Sequence, residues 1–269
     1  MPELPEVETV RRVLETEILN KKITGIEIFY DKIIDGDKDY FINNVVNHYF
    51  KEISRIGKYL IFKLDDDNYI LSHLRMEGKY FYEKNDFPIN KHIHLIFYFD
   101  NGYKLMYQDV RKFGRLEYKN NSDLYITPPL SLLGYEPFKR NYDDLFNKLK
   151  NKHIPIKSAL LDQHILLGLG NIYVDEVLFS AKINPLRIAS SITKAECQKI
   201  IDEAEKIFNK AIEYKGTTIR SYTSSLGVSG QYQNFLNVHT KKECPICKCS
   251  LEIVKVGGRT TYYCPNCQK

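Results

Sequence analysis

No run of about 18 apolar residues occurs in this chain, so nothing in it reads as a membrane-spanning helix. The N-terminus, Met1-Pro2-Glu3-Leu4-Pro5-Glu6, lacks the basic and apolar stretches of a secretory signal. Internal repeats and low-complexity segments are missing as well. Tryptophan is absent, and the aromatic complement is 20 Tyr and 14 Phe. Charge of one sign is scarce: 39 Lys+Arg against 34 Asp+Glu leave +5, which permits an anionic partner without requiring one. With 43% hydrophobic and 27% charged residues, the composition is that of a folded chain rather than a disordered one. The 269 residues therefore predict a cytoplasmic globular protein of about two domains, each with ample core.

What is present follows a clear order. Pro5 suits a first helical turn, and Glu3, Glu6 and Glu8 favour the positive end of a helix. Val7, Val10, Leu14 and Ile18 then recur at helical spacing. From about residue 20 to 120 the pattern is of short strands. Tyr59–Leu64, Tyr69–His73, Lys79–Tyr82, Ile93–Phe99 and Tyr103–Tyr107 are the clearest, the last two flanking a hairpin signal at Asp100-Asn101-Gly102. Breakers between Thr127 and Pro137 predict a linker. Helices are predicted over Asp143–Lys150, Ile156–Asp162, Asn171–Ala181 and Thr193–Tyr214, the last opening on a capping signal, Thr193-Lys194-Ala195-Glu196. Residues 216–240 read as loop. The expected class is α+β: a leading helix with a β-sandwich or barrel, then a helical domain, then a small terminal module. The expected boundaries are 1–130, 131–240 and 241–269.

Four of the six cysteines crowd into that last module. Cys244-x2-Cys247 and Cys264-x2-Cys267 each place two thiolates on a tight turn, and two such turns complete a tetrahedron for Zn²⁺. The segments between them read as two strands joined at Gly257-Gly258. In a reducing compartment such pairs bind metal rather than form disulfides. Four ligands close the site, so the metal is expected to be structural. Cys249 lies two residues after Cys247 and competes as a ligand, although the paired spacing favours the other four. Cys197, within the long helix, reads as a small buried hydrophobe. Arg259 follows the two glycines, where a guanidinium can grip a phosphate in bidentate fashion.

Six motifs occur together in order: Met1-Pro2-Glu3-Leu4-Pro5-Glu6-Val7-Glu8, Arg55-Ile56-Gly57-Lys58-Tyr59-Leu60, Ser72-His73-Leu74-Arg75-Met76-Glu77-Gly78, Tyr107-Gln108-Asp109-Val110-Arg111-Lys112-Phe113-Gly114, Gly168-Leu169-Gly170-Asn171-Ile172-Tyr173 and the cysteine finger. In this the chain resembles the formamidopyrimidine-DNA glycosylase family along its whole length. The resemblance implies a β-sandwich followed by a helix–two-turn–helix domain bearing a zinc finger. It implies a monomer that acts on damaged double-stranded DNA, with one structural Zn²⁺ and no nucleotide cofactor. The implied activity is excision of oxidised purines (8-oxoguanine opposite cytosine, formamidopyrimidines) followed by β,δ-elimination at the abasic site.

The same resemblance assigns roles. Pro2, once Met1 is removed, offers a secondary amine. An α-amino group has a pKa of about 8, roughly two units below a lysine side chain, so a useful fraction is nucleophilic at neutral pH. Attack on the sugar C1′ gives an iminium that acts as an electron sink. Glu3 is implied as the acid on the opening sugar ring, for which it must hold a proton, a state that burial favours; Glu6, one turn on, supports the site. Lys58 and Arg259 are implied as phosphate contacts and proton donors in the two eliminations; arginine is a poor acid, so the electrostatic role of Arg259 is the stronger. Met76, Arg111 and Phe113 match the family's void-filling triad, which occupies the stack when a nucleotide is extruded. On pattern alone, Met76 and Phe113 belong to a core. His73, His92, Lys152, Asn171 and Tyr173 are implied as DNA-backbone contacts, Asn171 at a helix start suited to phosphate. Glu77, Thr217, Ser221 and Tyr222 are implied around the flipped base. Two other readings stay open: an endonuclease VIII-type enzyme for oxidised pyrimidines, which Leu4 and the complete Met76/Arg111/Phe113 set disfavour, and a zinc protein that only marks lesions, which would need neither Pro2 nor Glu3.

Overall fold

The computed structural model describes residues 2–217 and 230–269. The chain divides into two compact units, residues 1–131 with 215–231, and residues 132–214 with 232–269.

The first unit opens on α1 (Leu4–Ile18), with Pro5 in its first turn. The apolar stripe Val7, Val10, Leu14 and Ile18 is buried to within 1%. Eight strands follow: β1 (Ile23–Ile28), β2 (Phe50–Ile56), β3 (Tyr59–Leu64), β4 (Tyr69–His73), β5 (Lys79–Lys84), β6 (Ile93–Phe99), β7 (Tyr103–Gln108) and β8 (Arg115–Lys119). They form two four-stranded antiparallel sheets, in the orders β1-β6-β7-β5 and β2-β3-β4-β8. Alternating residues of both sheets, among them Phe50, Leu60, Phe62 and Ile70 of one and Leu95, Phe97, Leu105 and Tyr107 of the other, share one core with the helix stripe. The β6–β7 turn falls at Asp100-Asn101-Gly102, with Gly102 at φ +80, as its sequence requires. One helix, α2 (Lys38–Val45), was not legible as such. Only two of its residues, Phe41 and Val45, are buried, too few for a periodic signal, and its start is marked by the Asp37 carboxylate accepting from Tyr40 N at 2.7 Å.

The second unit contains α3 (Tyr142–Leu149), α4 (Ile156–Leu160), α5 (Asn171–Ser180) and α6 (Lys194–Glu213). The predicted cap of α6 is present: Thr193 Oγ1 accepts from Glu196 N at 3.2 Å, and the Glu196 carboxylate accepts from Thr193 N at 2.9 Å. A turn at 163–165 and a bend at 167–168 join α4 to α5, with Gly168 at φ +103. The unit ends in the hairpin β9 (Glu252–Val256) and β10 (Arg259–Tyr263), paired Val256 to Arg259 around Gly257-Gly258. Both glycines have positive φ. Among the described residues no helix is long and apolar enough to cross a membrane.

Candidate active site and nucleic-acid interface

The start of α1 is a tightly built polar place in the first unit. Pro2 is buried, and Glu3 and Glu6 are only 2% and 3% exposed. Glu6 is the hub. Its Oε2 accepts from Glu3 N at 2.8 Å, and its Oε1 accepts from Thr217 N at 2.7 Å and Thr217 Oγ1 at 3.1 Å. Gly216, at φ +77, lets the chain pass this closely; a Cβ there would lie 2.6 Å from Glu6 Oε1. One buried carboxylate thus ties the N-terminal segment to the residue that precedes 218–229. Sequence reading placed Glu6 only in support; its true work, bridging positions 211 residues apart, has no local signal.

Lys58 sits in the two-residue turn between β2 and β3, after Gly57 at φ +57, and is 5% exposed. Its neighbour Arg55 is held by Glu8: Arg55 Nε donates to Glu8 Oε2 at 3.1 Å and its Nη1 to Gly57 O at 3.0 Å. Glu8 also receives Arg11 and Arg12. Burial pushes the Glu8 carboxyl up, but the hydrogen bonds from Arg11 and Arg12 and the nearby Arg55 outweigh it and leave its pKa lowered. Arg55 is therefore a brace between α1 and the Lys58 turn rather than a free surface charge.

His73 ends β4. Its ring meets Tyr59 edge-on at 4.5 Å, and its Nδ1 accepts from Arg75 N at 2.9 Å, which leaves the proton on Nε2. Burial, with the positive charges of Arg75 and Lys58, lowers its pKa to about 3. The ring is neutral at physiological pH and can act only as a hydrogen-bonding group. Met76 and Glu77 follow in a tight turn, both half-buried, with Arg75 at φ +50 and Gly78 N donating to Leu74 O.

A second loop, 109–114, is organised by one side chain. Asp109 is fully buried. Its Oδ1 accepts from Arg111 N at 3.0 Å, and its Oδ2 from Phe113 N at 2.9 Å and Gly114 N at 2.7 Å. His94 Nε2 lies 2.8 Å from Asp109 O. The outcome is a rigid turn with Arg111 exposed, Phe113 48% exposed, and the Arg111 guanidinium 4.8 Å from the Phe113 ring centre. Phe113 is thus no core residue, contrary to what its apolar character alone suggests. The two loops converge, since Gly78 and Gly114 both abut the Tyr107 hydroxyl, which a Cβ at either position would overlap. Half-buried His92 adjoins the same loop through Asp109 N to His92 O at 3.0 Å. Ser221 and Tyr222 lie outside the described residues.

In the second unit, Asn171 is the first residue of α5. Its Nδ2 donates to Thr260 O at 3.0 Å, while its buried Oδ1 has no hydrogen-bond partner. Tyr173 has its side chain fully buried, with its ring against Phe208 and Tyr232. The helical period turns the third residue of α5 inward. Lys152 is exposed. A buried pair missed in the sequence lies beneath the finger. Lys157 Nζ meets Asp175 Oδ1 at 2.8 Å, both side chains fully buried, and also donates to Thr260 O and Thr261 Oγ1. Asp175 Oδ2 is 2.8 Å from His239 Nδ1. These contacts seat β10, and with it exposed Arg259, on α4 and α5.

The four finger thiols Cys244, Cys247, Cys264 and Cys267 place their sulfurs all within 4.8 Å of one another. Cys244 and Cys267 are 3.9 Å apart, and Cys247 and Cys264 3.5 Å. The sulfur–sulfur edge of a zinc–thiolate tetrahedron with 2.3 Å bonds is about 3.8 Å, so the cluster fits a metal ion of that kind. Cys197 is fully buried, and burial pushes its thiol up to about 12.

Comparison with known proteins is decisive. Residues 1–116 match the formamidopyrimidine-DNA glycosylase N-terminal domain and 133–223 the H2TH domain of the same enzymes. This chain belongs to the formamidopyrimidine-DNA glycosylase family. It is 46% identical to the formamidopyrimidine-DNA glycosylase of Streptococcus mutans, over all of both chains. That of Mycoplasma genitalium is 41% identical, over 100% of this chain and 96% of its own. A solved complex of the Lactococcus lactis enzyme with abasic-site DNA superposes with a TM-score of 0.94 at 40% identity, and one with DNA containing an N7-benzyl formamidopyrimidine lesion with 0.93, each covering both chains fully. The α+β architecture of a formamidopyrimidine-DNA glycosylase, with sheet domain, H2TH helices and terminal hairpin, accords with the sequence reading.

Proposed function

We infer that this chain is a base-excision repair glycosylase and abasic-site lyase that removes oxidised purines from double-stranded DNA. The observation that carries the mechanism is the buried start of α1, where the Glu6 carboxylate braces Glu3 and Thr217 around Pro2. With Met1 removed, the Pro2 amine attacks C1′ of the damaged nucleoside and the base departs. The resulting iminium acidifies C2′–H; loss of that proton to water expels the 3′-phosphate as the C3′–O bond breaks, and loss of the C4′ proton from the conjugated iminium then expels the 5′-phosphate as the C5′–O bond breaks. Glu3 supplies a proton to the opening sugar. Lys58 and Arg259 hold the flanking phosphates and stabilise them as leaving groups.

Extrusion of the base costs a few kcal/mol. Exposed Phe113 wedges into the vacated stack, Met76 fills beside it, and Arg111 pairs with the orphaned base. His73, His92, Lys152 and Asn171 contact the DNA backbone; Tyr173 does so only through its main chain. Glu77 and Thr217 are assigned to the flipped-base pocket by the family motif; Ser221 and Tyr222, assigned with them, lie outside the described residues. Cys244, Cys247, Cys264 and Cys267 hold one zinc ion, which supplies structure rather than chemistry and steadies the hairpin that bears Arg259. In this reading the working parts are 1–130 for catalysis, 131–240 for DNA binding and 241–269 for the finger, in a cytoplasmic monomer.

Borohydride trapping on a duplex with 8-oxoguanine opposite cytosine tests the nucleophile, after intact mass has established loss of Met1. The expected result is a covalent adduct that peptide mapping assigns to Pro2. An adduct on another residue, or one of unchanged yield in Pro2→Gly, overturns the assignment.

A further inference from the structure

The finger contains a fifth thiol. Cys249 Sγ lies 3.3 Å from Cys247 Sγ and 3.4 Å from Cys264 Sγ. The second distance nearly equals the 3.5 Å between Cys247 and Cys264. Cys249 and Cys247 therefore stand at the same reach from Cys264, and both are near the edge length of a zinc–thiolate tetrahedron, about 3.8 Å.

The turn makes this possible. Lys248, between the two thiols, has φ +63. Cys244 N donates to Cys249 O at 2.9 Å, and Lys248 N to Cys244 O at 3.1 Å. The turn that presents Cys247 is thus closed by Cys249's own carbonyl, so Cys249 is part of the ligand turn rather than a passer-by. The two sulfurs differ in access: Cys247 is exposed and Cys249 half-buried.

We propose that Cys249 is an alternate ligand of the finger's metal, able to take the place of Cys247 in a set with Cys244, Cys264 and Cys267. This rests on the zinc reading above. A tetrahedral ion accepts four thiolates, so at any moment one of the five is outside the set. Cys249 stands outside the four-thiol set whose sulfurs are all mutually close, so when Cys247, the more accessible, is lost or blocked, the Cys249 side chain must turn toward Cys244 and Cys267 to complete the tetrahedron. The substitution is specific: the thiols in contact with Cys249 are Cys247 and Cys264, so it stands in for Cys247 and not for Cys244 or Cys267.

Metal content of the full chain, measured after gel filtration in the presence of a competing chelator, tests this in four forms. The unaltered protein retains one zinc per chain. Cys247→Ala also retains one, and its cobalt-substituted form keeps tetrahedral d–d bands with four-thiolate charge-transfer intensity. Cys247→Ala/Cys249→Ala loses the metal, or shows cobalt intensity reduced by about a quarter, in proportion to the thiolate lost. Cys267→Ala loses the metal with Cys249 still present. Equal metal loss in Cys247→Ala and in the double variant overturns the proposal, as does equal retention with identical cobalt spectra. Absence of zinc from the unaltered protein overturns the zinc reading itself, and the proposal with it. Far-UV circular dichroism of each variant separates a lost ligand from a lost fold.

Discussion

Arg111 and Arg259 pose the same structural problem and are held by different means. Each is exposed and stands beside left-handed backbone, Arg111 before Lys112 at φ +59 and Arg259 after Gly257 and Gly258. Arg111 is fixed by a single buried carboxylate, Asp109, which gathers three backbone N–H groups. That loop rests on the large core of the sandwich, through Tyr107. Arg259 rides on a hairpin whose own buried cluster is small, with Cys244, Leu251 and Cys264 of the module packed on Phe179 and Val238. A module of that size cannot bury enough apolar surface to hold its shape, so it needs a staple. The thiol cluster and the buried Lys157–Asp175 pair supply it. A loop over a deep core is held by one polar hub; a hairpin with a small core is held by a thiol cluster and a buried ion pair.

The comparison can be broken in three places. The largest effect is expected from Cys244→Ser, which removes a fully buried ligand that Cys249 does not reach. Zinc ligation contributes on the order of 10 kcal/mol in small fingers, so the variant loses its metal, and hydrogen-exchange protection vanishes across β9 and β10 while the sandwich amides stay protected. Retained protection in the hairpin would show that the Lys157–Asp175 seat suffices without metal. Next comes Asp109→Asn. The amide must turn its NH2 donor either toward Arg111 N or toward Phe113 N and Gly114 N, at a cost of about 2–3 kcal/mol in urea unfolding, and duplex binding weakens as Arg111 and Phe113 lose their presentation. A loss under about 0.5 kcal/mol would mean that the turn is held by its backbone alone. The smallest effect on stability belongs to Phe113→Ala, within about 0.5 kcal/mol because the ring is half exposed, yet lesion-duplex affinity should fall clearly in a fluorescence titration. A large stability loss with unchanged affinity would return Phe113 to the core.

Much of this was legible beforehand because it is written in local patterns. The helix stripe of α1, the hairpin at Gly102, the cap at Thr193 and Glu196, and the spaced cysteine pairs each depend on residues within a few positions of one another. The α2 helix escaped, having only Phe41 and Val45 on its buried face. Tyr173 was read as a DNA contact from its motif, but the helix turns it inward.

The sequence by itself determined most of the order of elements and the set of thiols, since short-range periodicity and spacing suffice for these, and its ordered motifs carried the resemblance to the family. Only the tertiary structure decided which charges are buried and braced and which stay exposed. Glu6, Asp109, Lys157 and Asp175 are buried and fully engaged, while Arg111 and Arg259 stay exposed. The reason is physical: burying a charged group is tolerable only where partners from distant segments converge on it, and that convergence exists only once the chain has folded.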